Sequence, residues 1–106
     1  MSSHPNLKAG LVLFENDFQL EKSYLDLEGR EEVQFEEAFL LIMRVVEELL
    51  SKDFSRLVNC LYRLDVSEEK LKEALAASND NPASVITQMI IEREMQKVET
   101  REKYRS

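Results

Sequence analysis

Cys60 is the side chain with the greatest chemical reach in this 106-residue sequence. Arg56 and Arg63 stand about one helical turn away on either side and could stabilise a thiolate, the form a cysteine nucleophile needs. Leu57, Val58 and Leu61 surround it with apolar side chains, however. A cysteine so placed reads as a buried packing residue with no chemistry. His4 is the only histidine and stands before Pro5, with no neighbour to fix its tautomer or orient its ring. It is expected to have no catalytic or metal-binding role. Glu32, Glu36, Glu37, Glu47 and Glu48 invite a carboxylate–metal reading. Di-metal helical bundles add Glu-x-x-His pairs to such glutamates, and this sequence contains none, so a solvated acidic face is expected instead. Gly10 and Gly29 are the only glycines, and a glycine-rich phosphate loop is therefore absent. The expected result is a non-enzymatic chain with no catalytic residue, no metal and no cofactor.

The most pointed charge pattern is a row near the end of the chain. Arg93, Lys97, Arg101 and Arg105 recur every four residues. On a helix such like charges repel by about a few tenths of a kcal/mol per pair, so a compensating acid is expected. Residues 1–50 hold eleven acids and four bases, whereas residues 51–106 hold ten of each. The basic row is expected to meet that acidic first half, within the chain or across to a second copy. The alternative is a stripe that contacts an anion, a nucleic acid or an acidic partner. A body of net charge −7 repels a polyanion, which disfavours nucleic acid. Residues 54–77 could be taken for a DNA-binding helix-turn-helix, but Ser67-Glu68-Glu69-Lys70 would put two acids where the recognition helix meets phosphates.

The elements that must carry these residues are helices. Glycine and proline total four residues, too few for a fold built on turns. The fold class expected is all-α, a four-helix bundle-like or orthogonal array with an irregular N-terminal arm over residues 1–30 and one helical domain over 31–106. In the arm, Leu7 to Phe14 fits a short helix or a strand equally well. Leu11, Phe14, Phe18 and Tyr24 are expected to press onto the helices. The first strong helix is expected from about Glu31 to Ser51, with Glu31 and Glu32 in its first turn. Its apolar girth is wide, which makes it either the central helix or part of a subunit interface. Asp53 reads as the N-cap of a helix from about Phe54 to Leu64, and Ser67 as the N-cap of the next. Asn81-Pro82 opens the last helix, as an N-cap followed by a first-turn proline. Phe39, Ile42, Val46, Leu61, Ile86 and Met89 are expected to share the core.

The strings Asn6-Leu7-Lys8-Ala9-Gly10-Leu11, Glu15-Asn16-Asp17-Phe18, Leu61-Tyr62-Arg63-Leu64-Asp65-Val66 and Glu92-Arg93-Glu94-Met95-Gln96-Lys97-Val98 together resemble a family of small uncharacterised bacterial proteins. The resemblance implies no activity and carries no site residue across. It points to a bacterial cytoplasmic origin. A single cysteine, no signal-peptide pattern at Met1 to Asn6, and a longest apolar run of six residues (Ala38 to Met43) agree with a cytoplasmic chain that does not span a membrane. The function expected is protein–protein interaction or assembly through helix surfaces, as a homodimer or with an unknown protein partner. Leu40 and Met43, lying among Glu36, Arg44 and Glu47, are the expected interface unless the arm covers them.

Overall fold

The structure is a computed structural model that describes residues 6–21, 24, 25, 27, 29 and 32–103. It is all-α: α1 (Leu7–Asp17), α2 (Phe35–Lys52), α3 (Phe54–Arg63), α4 (Glu68–Ala77) and α5 (Pro82–Lys103), with no strand among the described residues. Among the described residues the helices are five rather than four, because Leu7 to Phe14, which fits a helix or a strand equally well in sequence, coils into α1 together with Glu15-Asn16-Asp17, whose composition suggests a turn. Coiling puts Leu7, Leu11 and Phe14 on one buried face, with Gly10 between them and Phe18 just beyond.

Three helix starts follow directly from local chemistry. Asp53 Oδ1 accepts from Arg56 N at 3.2 Å to open α3, and Ser67 Oγ accepts from Lys70 N at 3.2 Å to open α4. Asn81 Oδ1 accepts from Ala83 N at 2.8 Å, and Pro82 takes the first helical position of α5. The start of α2 differs from expectation. It begins at Phe35, because Gln34 is extended (ψ 149°) and so lets Val33 bury its side chain before the helix begins. Glu36 and Glu37, not Glu32, occupy the first turn. Glu31 lies outside the described residues.

Two helices end in the same motif. Gln19 N bonds Asn16 O at 3.1 Å and Leu20 N bonds Glu15 O at 2.9 Å at the end of α1. Asp65 N bonds Tyr62 O at 3.0 Å and Val66 N bonds Leu61 O at 2.9 Å at the end of α3. Both are Schellman caps, and Gln19 (φ 56°) and Asp65 (φ 63°) hold the left-handed position that glycine usually fills.

α5 is the centre of the fold, packed by α2, α1 and α4, while α3 leans on α2. α2, expected to be either the central helix or part of a subunit interface, packs on α5 and α3 but is not the most enclosed helix. One core joins Phe14, Phe18, Ile42, Val46, Leu57 and Leu61 to Leu64, Ile86 and Ile90. The rings of Phe14 and Phe18 lie 4.4 Å apart, tilted by 40°. Of the six residues expected to form the core, Ile42, Val46, Leu61 and Ile86 are buried, but Phe39 and Met89 are half-buried at its rim. The reason is the shortness of α4, which buries only Leu71 among its residues and leaves that side of α2 and α5 partly open. Tyr24 is exposed, contrary to expectation, whereas Leu11, Phe14 and Phe18 are buried.

Burial ranks the aromatic residues. Phe14→Ala should destabilise by about 3–5 kcal/mol, the range for a fully enclosed phenylalanine, and Phe39→Ala by no more than about 2 kcal/mol. Urea unfolding of both variants checks this, and equal losses would show that Phe39 is core and not rim.

Candidate functional site

The tightest arrangement of ionisable groups sits where α1 crosses α5. Gly10 makes the approach possible: a Cβ there would stand 3.2 Å from Met95 Sδ and 3.9 Å from Glu94 Cβ. Glu94 is 2% exposed. Lys97 Nζ lies 2.6 Å from Asp17 Oδ2 and 3.9 Å from Glu94 Oε1. With both carboxyls ionised, neither Glu94 oxygen has a hydrogen-bond partner. A proton on Glu94 resolves this, because the acid then donates to the Asp17 carboxylate. Burial pushes the Glu94 carboxyl up to about 9, and the hydrogen bond to Asp17 and its charge add to the rise against the opposing pull of Lys97 and Arg93. At neutral pH, Asp17 therefore sits between a neutral acid and an ammonium.

An acid kept neutral at pH 7 is the kind of group that serves as a general acid. Here it has no room to act on a substrate. The adjoining cavity, lined by Leu7, Leu11, Ala38, Ile42, Ile91 and Met95, measures about 10 Å³, the space of roughly one water molecule. The arrangement can hold a proton but cannot present it to a reactant of any size.

Cys60 lies on the neighbouring helix, 3% exposed. Burial pushes its thiol up and outweighs the opposing charges of Arg56 and Arg63. Both arginines also serve the end of α1. Arg56 Nη2 donates to Phe18 O at 3.0 Å and to Gln19 O at 3.3 Å. The Gln19 side-chain oxygen, with the amide turned to meet its donors, accepts from Arg63 Nη1 at 3.0 Å and Nη2 at 3.1 Å.

The basic row is divided among separate tasks. Lys97 meets the acidic first half of its own chain through Asp17. Arg93 turns to the second half, donating to Leu64 O at 2.8 Å, Asp65 Oδ2 at 3.0 Å and Gln96 Oε1 at 3.4 Å. Arg101 is exposed beside a groove that includes Val12, Leu13 and Val98. Arg105 and His4 lie outside the described residues. Among the described residues no three His, Cys, Asp or Glu side chains gather as a metal site. Glu32, Glu36, Glu47 and Glu48 are exposed, and Glu37 is half-buried. Among the described residues no helix is long and apolar enough to cross a membrane.

Leu40 is 57% exposed on α2, and α1 does not cover it. Met43 is half-buried, its sulfur accepting from Ser84 Oγ at 3.8 Å. The residue that sequence reasoning missed is Glu94. Its signal was its spacing: it stands four residues after Ile90 and four before Val98, on the buried stripe of α5.

Comparison of the chain with protein-family models, with curated proteins and with solved structures finds no match.

The raised Glu94 carboxyl sets a pH dependence with a definite sign. Below its ordinary value of 4.5, folded and unfolded chains are both protonated and no stability is lost. Between 4.5 and about 9 the unfolded chain gives up the proton that the folded chain keeps, so stability falls as pH rises, by at most about 1.4 kcal/mol per unit. Glu94→Gln should remove this slope, and its urea midpoint should gain on wild type from pH 5 to pH 9. A constant difference between the two would place the proton elsewhere. Cys60 should resist a thiol reagent at neutral pH until the chain unfolds, and rapid stoichiometric labelling of the folded protein would show an accessible thiolate.

Proposed function

We propose that this chain is a non-enzymatic protein–protein interaction or assembly module, acting as a homodimer through the surface of α2. The observation that carries the reading is Leu40, a large apolar side chain 57% exposed in the middle of a helix. Met43 stands one turn on, and the half-buried Phe39 and Met89 line a groove of about 490 Å³ between α2, α4 and α5. Glu36, Arg44 and Glu47 supply charges around it. An apolar patch with a polar rim is the pattern of a contact surface, and two-fold homodimers are the commonest soluble oligomers. The chemically capable groups, Glu94 and Cys60, are both buried, which supports a role on the surface over one in catalysis. The anion-binding alternative loses ground because Arg93 and Lys97 already have acidic partners, leaving Arg101 as the exposed member of the row among the described residues.

Sedimentation at micromolar concentration tests the reading. A species of twice the 12.4 kDa chain mass is expected, and a clean 12.4 kDa species would rule the dimer out. Leu40→Glu combined with Met43→Glu should split the dimer, since each places an unpaired charge in an apolar contact.

A further inference from the structure

We propose that α1 is a proton-dependent latch: it stays docked on α5 while Glu94 carries a proton shared with Asp17, and it is released as a unit when that proton leaves. The latch is independent of the surface reading of α2. Its geometry has three parts. Asp17 and Glu94 face each other across the α1–α5 contact, with Lys97 bonded to Asp17 at 2.6 Å and 3.9 Å from Glu94. Both Glu94 oxygens are enclosed without a donor. The cavity beside them, about 10 Å³, cannot admit the several waters that a bare carboxylate needs.

The groups that face Glu94 are few. α1 contributes Asp17, and α5 itself contributes Lys97 and Arg93. α2 contributes the apolar Ala38 and Ile42 to the same cavity. From α3, Arg56 and Cys60 lie toward the Asp17 side of the contact. Ionised Glu94 would therefore set a buried negative charge against the part-buried carboxylate of Asp17, with the single ammonium of Lys97 already bonded to Asp17, a balance that fails in a site with so little room for water. Undocking α1 is the smallest motion that lets water reach both carboxylates. The packing of α5 on α2 and α4 does not pass through α1. Helices held in this way open as local units.

Hydrogen exchange by mass spectrometry on the full chain, from pH 6 to pH 10, tests the latch. Rates are divided by the intrinsic exchange rate at each pH. Protection of the α1 amides should be lower than that of the α3 amides and should fall by up to about tenfold per pH unit between pH 6 and pH 9, the slope for one proton. Glu94→Gln, which keeps the shape and a donor but cannot ionise, should flatten that slope. In wild type the fall should level off near pH 9, and Asp17→Asn should bring that levelling to lower pH, since it removes a charge that helps hold the proton on Glu94. The latch is overturned if Glu94→Gln keeps the wild-type slope, or if Asp17→Asn leaves the pH dependence unmoved. It is also overturned if wild-type α1 and α3 show equal protection at every pH, a comparison that needs no variant to fold.

Discussion

The enclosure of α5 is the constraint on which the rest of this structure depends. With α1, α2 and α4 packed around one helix, every residue on its inner faces is buried whatever its chemistry, Thr87 and Glu94 as much as Ile86 and Ile90. A buried carboxylate is too costly to keep charged and alone. The arrangement around Glu94 follows from that cost. The proton stays, Asp17 accepts it, and Lys97 neutralises Asp17. Gly10 lies at this close approach of α1 to α5, where an added Cβ would press on the Met95 sulfur at 3.2 Å. A single polar residue on an apolar stripe thus sets the position of a helix some eighty residues earlier in the chain.

The same economy governs the cations. Gln19 and Asp65 hold left-handed backbone positions that cost L-residues roughly 1–2 kcal/mol, less for the short polar side chain of aspartate. Each of these helix ends is met by arginine from another helix: Arg56 and Arg63 at the end of α1, Arg93 at the end of α3. A positive group at a helix C-terminus also favours the dipole. Four cations that a sequence scan would count as surface charge are thereby committed to internal joints, once Lys97 is included. Two members of the row at four-residue spacing, Arg93 and Lys97, are thus held by acids of their own chain, which offsets their mutual repulsion along α5.

The parts of the fold that were legible in the sequence are the local ones. Asp53, Ser67 and Asn81-Pro82 marked helix starts because capping is decided within three residues. α1 was not legible, since Leu7 to Phe14 is too short for periodicity to separate helix from strand. The start of α2 was misplaced because the acids at 31 and 32 fit a first turn as well as Glu36 and Glu37 do, and only the burial of Val33 separates the two. The central place of α5 was not legible either: its charges look solvated in sequence, yet Arg93 and Lys97 reach inward to partners 28 and 80 residues away. Phe39 and Met89 read as core because a stripe shows which face is apolar but not how far a short neighbour such as α4 covers it. Of the candidate site, Lys97 was visible as a base in need of an acid, but Asp17 could not be named before α1 had a position. Glu94 was legible only to a reading that asked which charged residue falls on an apolar stripe.

Burying an acid instead of a leucine at position 94 is not a route to greater stability. At pH 7 the unfolded chain can release a proton that the folded chain holds, which lowers stability by up to about 3 kcal/mol relative to pH 4.5. That is a large share of the 5–15 kcal/mol typical of a folded domain. The loss is also not spread evenly. It is concentrated at one joint, because Asp17 on α1 holds the other side of the proton. The apolar contacts of Leu7, Leu11, Phe14 and Phe18 must then carry α1 against it, and the fully buried Phe14–Phe18 pair sits at the same end of the helix as Asp17. α1 is therefore held by two opposed terms, apolar burial that is insensitive to pH and a shared proton that is not, while α5 packs on α2 through apolar residues such as Ile42, Val46, Ile86 and Ile90.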